Sequence, residues 1–108
     1  MLLNCVLAAS MIAVFDDAVP GQDREANREV VAALEARGFQ VERLDVAGMA
    51  NLSRDRYAAL VVPSCEAVPR SVAASALAFV QAGGPAVFTG GPMLDREVFR
   101  RDGRWYTR

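Results

Sequence analysis

The chain alternates between two hydrophobic patterns: short continuous apolar runs and longer stretches with a three- and four-residue beat. The runs are "MIAVF" (11–15), "AALVV" (58–62) and "PAVFT" (85–89). Such runs are apolar on both pleated faces, as in strands buried inside a parallel sheet. The beat begins at Asp23, after which Ala26, Val30, Ala33, Leu34 and Arg37 recur at helical steps. Asp23 suits an N-cap, Glu25 favours the first turn through the helix dipole, and Gly38 is a stop. A second helix is predicted over "RSVAASALAFVQA" (70–82). Pro69 opens it, Val72, Ala76, Phe79 and Val80 line its apolar face, and Gly83-Gly84 end it.

The remaining segments join these elements. "FQVERLDV" (39–46) alternates, with Phe39, Val41 and Leu44 as its apolar positions, which predicts a strand exposed on one side near a sheet edge. "AVPGQ" (18–22) is a loop, "AGMANLSRDRY" (47–57) a loop with one helical turn, and Pro63 stops the third strand. "EVFRRDGRWYT" (97–107) reads as a hairpin through Asp102-Gly103. Strands alternating with helices imply a parallel sheet with right-handed crossovers and helices on both faces. The expected fold is therefore α/β: a small flavodoxin-like three-layer sandwich. Its sheet is mostly parallel, with four to five strands, and a hairpin follows at the C-terminus. The 108 residues make one domain, 1–108, burying roughly two-thirds of its unfolded surface. With four clear strands it is a trimmed version of that sandwich, as a fragment of a longer chain would be.

Composition narrows the chemistry. A hydrophobic fraction of 53% and a charged fraction of 23% belong to a folded globular chain. The formal net charge of -1 supplies no field for nucleic acid or an anionic membrane, so neither is an expected partner. Residues 1–15 carry no charge, but the run is shorter than the ~20 residues of a membrane helix and lacks the basic start of a signal peptide. A cytoplasmic location is accordingly expected over secretion. The chain has no histidine, and every basic residue is arginine. A Ser-His-Asp or Cys-His relay, a histidine metal ligand, a phosphate-binding lysine and a Schiff base are thereby excluded within this chain. Cys5 and Cys65 form no zinc motif and no redox pair. No cofactor and no metal are expected.

In such a sheet ligands gather beyond the carboxyl ends of the strands. That rule brings together Asp16-Asp17, Ser64-Cys65-Glu66 and Thr89-Gly90-Gly91 as candidate residues for a small anion, sugar or metal. The pair Asp16-Asp17, with Thr89, resembles the magnesium-holding acids and the hydroxyl residue of response-regulator receiver domains. The chain reads "VVPSCE" where a receiver has its phosphorylated aspartate, and it has no lysine, so that likeness implies at most a degenerate receiver. Cys65 with Glu66 or Asp17 is the one nucleophilic assembly available, and a neighbouring carboxylate raises a thiol's pKa, which opposes reactivity. The C-terminal segment gathers Arg100, Arg101, Arg104, Trp105 and Tyr106, residue types favoured at protein interfaces.

A wider likeness covers 11–104. "RDRYAALVVPSCEAVPRSVAASALAFVQAGGPAVFTGG" resembles the core of class I glutamine amidotransferase-like domains. Tyr57, Pro63, Phe79, Val80, Gly83 and Gly84 match the tyrosine before a buried strand, the proline after it and the "F-V-x-x-G-G" helix end. Active members carry an elbow cysteine, as G-x-C-x-G, after the strand that follows. This chain reads "FTGGP" there. The resemblance thus implies a non-catalytic branch, like accessory domains of glycoside hydrolases, including the trimerisation domains of certain β-galactosidases. Its implied role is protein association or oligomerisation, within a carbohydrate-processing protein, rather than catalysis.

Overall fold

A computed structural model describes residues 11–19, 22–63, 67–89, 96–101 and 104–107. Strands β1 (Met11–Phe15), β2 (Gln40–Leu44) and β3 (Tyr57–Val62) are followed by β4 (Ala67–Pro69) and β5 (Ala86–Phe88). All but β4 lie in one parallel sheet ordered β2-β1-β3-β5. The helices are α1 (Arg24–Ala36), the single turn α2 (Val46–Met49) and α3 (Arg70–Gln81). The chain moves one way along the sheet from β1 to β2, and the opposite way from β2 to β3 to β5. Right-handed crossovers therefore put α1 on one face and α2 and α3 on the other, giving three layers. The four-strand parallel sheet with its helices is the small α/β sandwich expected from the sequence. A hairpin of β6 (Arg96–Arg101) and β7 (Arg104–Thr107) follows, its Asp102-Gly103 tip outside the described residues.

The pleat sorts the core. Ala13, Phe15, Leu60 and Val62 are fully buried and share a cluster with Val72, Ala76 and Phe79 of α3. Ile12 and Val14, also buried, alternate to the α1 face. Helix α1 is capped by Asp23, whose carboxylate accepts a hydrogen bond from the Ala26 N–H at 3.0 Å. The turns after α1 and α3 each use a glycine in the left-handed region, Gly38 and Gly83, both at φ 92°. Gly84 has a different task. A Cβ there would sit inside the Phe79 ring, so its bare backbone lets that ring close the core where β5 begins. Phe79, Gly83 and Gly84 of the "FVQAGG" end of α3 are thus explained by packing and turn geometry.

Several expectations shift. The inner side of α1 carries Asn27, which is wholly buried, while Ala33 and Arg37 are exposed. A polar residue at the centre of the stripe displaced its reading by sequence. Val80 is 42% exposed and Phe39 45% exposed, so neither belongs to the core. Strand β2 ends at Leu44 because Asp45 caps α2, accepting from the Gly48 N–H at 2.7 Å. Strand β4 was not expected, since "AVP" has no strand-length pattern. It forms by pairing in parallel with β6, and β6 with β7, as a second three-stranded sheet.

Candidate functional site

The direction reversal between the β1-to-β2 and β3-to-β5 crossovers makes the carboxyl ends of β1 and β3 the topological switch point. Asp16 stands there, immediately after β1, with its side chain only 4% exposed. Its Oδ1 accepts from Arg24 Nε at 2.7 Å and from Asn27 Nδ2 at 3.0 Å. Its Oδ2 has weaker company, Arg24 Nη2 at 3.5 Å and Arg43 Nη1 at 4.0 Å. Arg24 and Arg43 are half exposed, so each keeps part of its charge in water.

Asn27 extends this network across the gap. Its Nδ2 also donates to Gln22 Oε1 at 2.8 Å, and Gln22 Nε2 donates to the Pro63 carbonyl at 3.1 Å. The carboxylate and the carbonyl can only accept, so they fix the orientation of both amides. Asn27 Oδ1 is consequently turned away, buried and without a hydrogen-bond partner among the described residues. Together these side chains tie β1, α1 and the end of β3 across the place where related topologies bind ligands.

Asp17 points elsewhere. Its Oδ1 accepts from the Ala18 N–H at 2.7 Å and its Oδ2 from the Val46 N–H at 3.0 Å. It therefore satisfies one of the free donors that begin α2. The two adjacent acids thus face different partners, and no group of three or more metal-ligating side chains occurs among the described residues. Thr89 follows β5, its N–H donating to the Val62 carbonyl at 3.1 Å. It lies two strands from Asp16, about 10 Å by strand spacing. Ser64, Cys65, Glu66, Gly90 and Gly91 lie outside the described residues. Of the interface candidates the backbone is placed: Arg100 pairs with Trp105, Arg101 with Arg104, and Tyr106 with Phe99.

Beside Asp16 opens a cleft of about 440 Å³ lined by Arg24, Glu42, Arg43, Leu44, Asp45 and Gly48. Its charges are largely spent: Asp16 on Arg24, and Glu42 on Arg56 at 3.2 Å. Arg56 also lies 5.7 Å over the Tyr57 ring. Burial first, and the Glu42 carboxylate second, push the Tyr57 phenol above its ordinary value. The cleft offers polar contacts, but no described side chain in it pairs a nucleophile with a base.

A second region was invisible to sequence reasoning. Val87 and Phe88 of β5 are 55% and 39% exposed, and they lie on opposite faces of the sheet. Phe88 shares its face with Val62, on the α3 side; Val87 continues the row of Val14 and Val61, on the α1 side. Leu77 and Val80 of α3 are also exposed. A right-handed helix antiparallel to the strands turns both toward the β5 flank of its buried stripe. Behind the sheet, α1 packs against β2, while Ala59 and Val61 remain partly open. No sequence pattern separates an apolar strand at an edge from one in the middle. No protein family, curated protein or solved structure matches the chain.

Proposed function

We propose that this chain is a non-catalytic accessory domain of the amidotransferase-like kind, working by protein association, and that its β5 edge is the contact surface. The observation that carries this reading is the exposed apolar side of the sheet: Val87 behind, Phe88, Leu77 and Val80 in front. A parallel sheet is ordinarily covered on both faces. Apolar side chains left open on both faces of an edge strand mark a place where another protein sits. The side chains at the switch point support the non-catalytic part, since Asp16 and Asp17 are engaged in holding the fold.

The test is photo-crosslinking in the native cell, because lysine-directed reagents find no lysine in this chain. A benzoylphenylalanine at position 87 is expected to capture a protein. One at position 28, on exposed α1, is expected to capture none. Capture from 28 alone, or from neither position, counts against the reading.

One observation favours a second reading, a small-molecule binding module at the strand ends. Asn27 Oδ1 is a buried acceptor with no hydrogen-bond partner among the described residues, on a side chain whose Nδ2 bonds Asp16 at the lining of the cleft. A ligand specific to the native state raises its stability by mass action. A thermal-shift panel of phosphates, sugars and divalent cations that moves the midpoint, and ceases to do so in Asn27→Leu, supports it. A flat panel removes it.

A further inference from the structure

We infer that the occupant of the β5 edge is a second copy of this chain, joined by antiparallel β5-to-β5 pairing about a two-fold axis at Val87. This rests on the association reading above and specifies its partner. The direction of the backbone groups comes first. The Leu60 N–H donates to the Pro85 carbonyl at 3.0 Å, and the Thr89 N–H to the Val62 carbonyl at 3.1 Å. Along a strand these groups alternate sides. Positions 85, 87 and 89 therefore face β3, while the N–H and C=O groups of Ala86 and Phe88 face outward. β5 ends the sheet order and pairs with no described strand besides β3.

Pro85 does not blunt this edge. The donor it lacks lies on the β3 side, so the outward row is complete. That row is symmetric about Val87, with one donor and one acceptor on either side. An antiparallel partner centred at Val87 sets Ala86 opposite Phe88 of the other copy, and each such pair exchanges two hydrogen bonds. All the outward groups of both strands are then used. In a parallel pairing one residue bridges two on its neighbour, the two strands play unequal parts, and no true two-fold results.

The side chains and charges agree with this geometry. Small Ala86 faces large Phe88, and Val87 meets its own copy at the closely spaced position. Residues 82–89 carry no charge and the whole chain carries -1, so two copies meet without like-charge repulsion at β5. The pairing would unite two sheets of β2-β1-β3-β5 into one of eight strands. Leu77 and Val80 of α3 flank the junction on one face.

The experiment uses the whole chain with Val87→Cys. Directly opposed residues at a closely spaced antiparallel position have Cα atoms about 4.5 Å apart, within disulfide reach. Oxidation is expected to give a 87-to-87 disulfide, identified by peptide mapping apart from Cys5 and Cys65. Light scattering of the unsubstituted chain is expected to give twice the monomer mass, falling to the monomer on dilution. Val87→Lys is expected to abolish the dimer while leaving the circular dichroism spectrum intact. A monomer at every concentration, a dimer that survives in Val87→Lys, or a dimer whose position-87 thiols stay unjoined overturns the proposal. Photo-crosslinking from position 87 separates the two failures. Capture of a different protein removes the second copy and keeps the association reading, whereas capture of nothing removes both.

Discussion

The two edges of the one parallel sheet are built on opposite terms. At the β2 edge, Gln40, Glu42 and Arg43 alternate with Val41 and Leu44, α1 packs alongside, and ion pairs join Glu42 to Arg56 and Arg43 to Asp16. Charges on an edge strand are how sheets ordinarily discourage further pairing. At the β5 edge no residue from 82 to 89 is charged, and two successive apolar side chains stand in solvent. The difference assigns different jobs to the two sides. One side is finished as a surface, while the other has the composition of an interior. The switch point lies on the finished side, and its acids are spent holding that side together.

The largest effect is expected where the finished side is tied down. Asp16→Ala removes the carboxylate from Arg24 and strips wholly buried Asn27 of an acceptor. Arg24 is half exposed and regains water, so the loss falls below that of a fully buried pair. About 2–3 kcal/mol is expected, dominated by the unsatisfied amide, as a lowered urea midpoint with an unchanged slope. Because the two residues share one network, Asp16→Ala with Asn27→Ala should cost less than the sum of the single changes. Full additivity would mean that Asn27 is held by something other than Asp16.

On the open side the corresponding strength lies beneath the edge, at the α3-to-β5 turn. Gly84→Ala pushes a methyl into the Phe79 ring, which is itself buried and has little room to retreat. About 1–2 kcal/mol is expected, as for other overpacked cores, read from the same denaturation curve. Hydrogen exchange sharpens the point. The amide of Gly84, bonded to the Phe79 carbonyl at 2.9 Å, should lose protection before those of β1. If Gly84→Ala is neutral, the ring is free to move and the β5 turn is looser than its geometry implies.

Tyr57 links the finished edge to the centre, since burial first and the Glu42 carboxylate of β2 second act on its phenol. In the unfolded chain a tyrosine loses its proton near 10.0, whereas in the fold burial and Glu42 hold the proton to higher pH. Between those two points the folded state binds more protons than the unfolded one, so stability falls as pH rises. Below the unfolded value the contribution is flat. Tyr57→Phe keeps the buried ring and should flatten the alkaline limb of a stability-against-pH curve. An alkaline limb of unchanged slope would place that proton release elsewhere.

How far the sequence reached follows the same division. Apolar runs and capping residues located β1, β3, β5, α1 and α3, because burial on both faces and helix ends leave local marks. Asp23 and Gly38 do in the structure what their types predict. Asp16 was legible as a residue at a strand end but not as a buried anion, since its partners Arg24 and Asn27 come from α1 and Arg43 from β2, and no local pattern ties either element to it. Asn27 in particular sits where helical periodicity expects an apolar residue. The open edge left no mark at all. "PAVFT" satisfies the pattern of a central strand, and only the strand order shows that no described strand follows it in the sheet.

The smallest effect on stability is expected at that edge, and it discriminates most between the two sides. Val87→Lys replaces a side chain already 55% exposed, so unfolding should change by no more than about 0.5 kcal/mol. Arg43→Ala, at the other edge, removes a half-exposed arginine whose nearest carboxylate is 4.0 Å away, and should be just as mild. In stability the two substitutions are therefore indistinguishable. In sedimentation they are not. A charge placed at position 87 sits where two uncharged edges would meet, and burying it without a partner is prohibitive, so association should be lost. A charge removed from position 43 leaves association untouched. Equal sedimentation of Val87→Lys, Arg43→Ala and the unsubstituted chain would mean that the open edge is solvent-facing in use as well as in isolation. The contrast between the edges would then be one of composition alone.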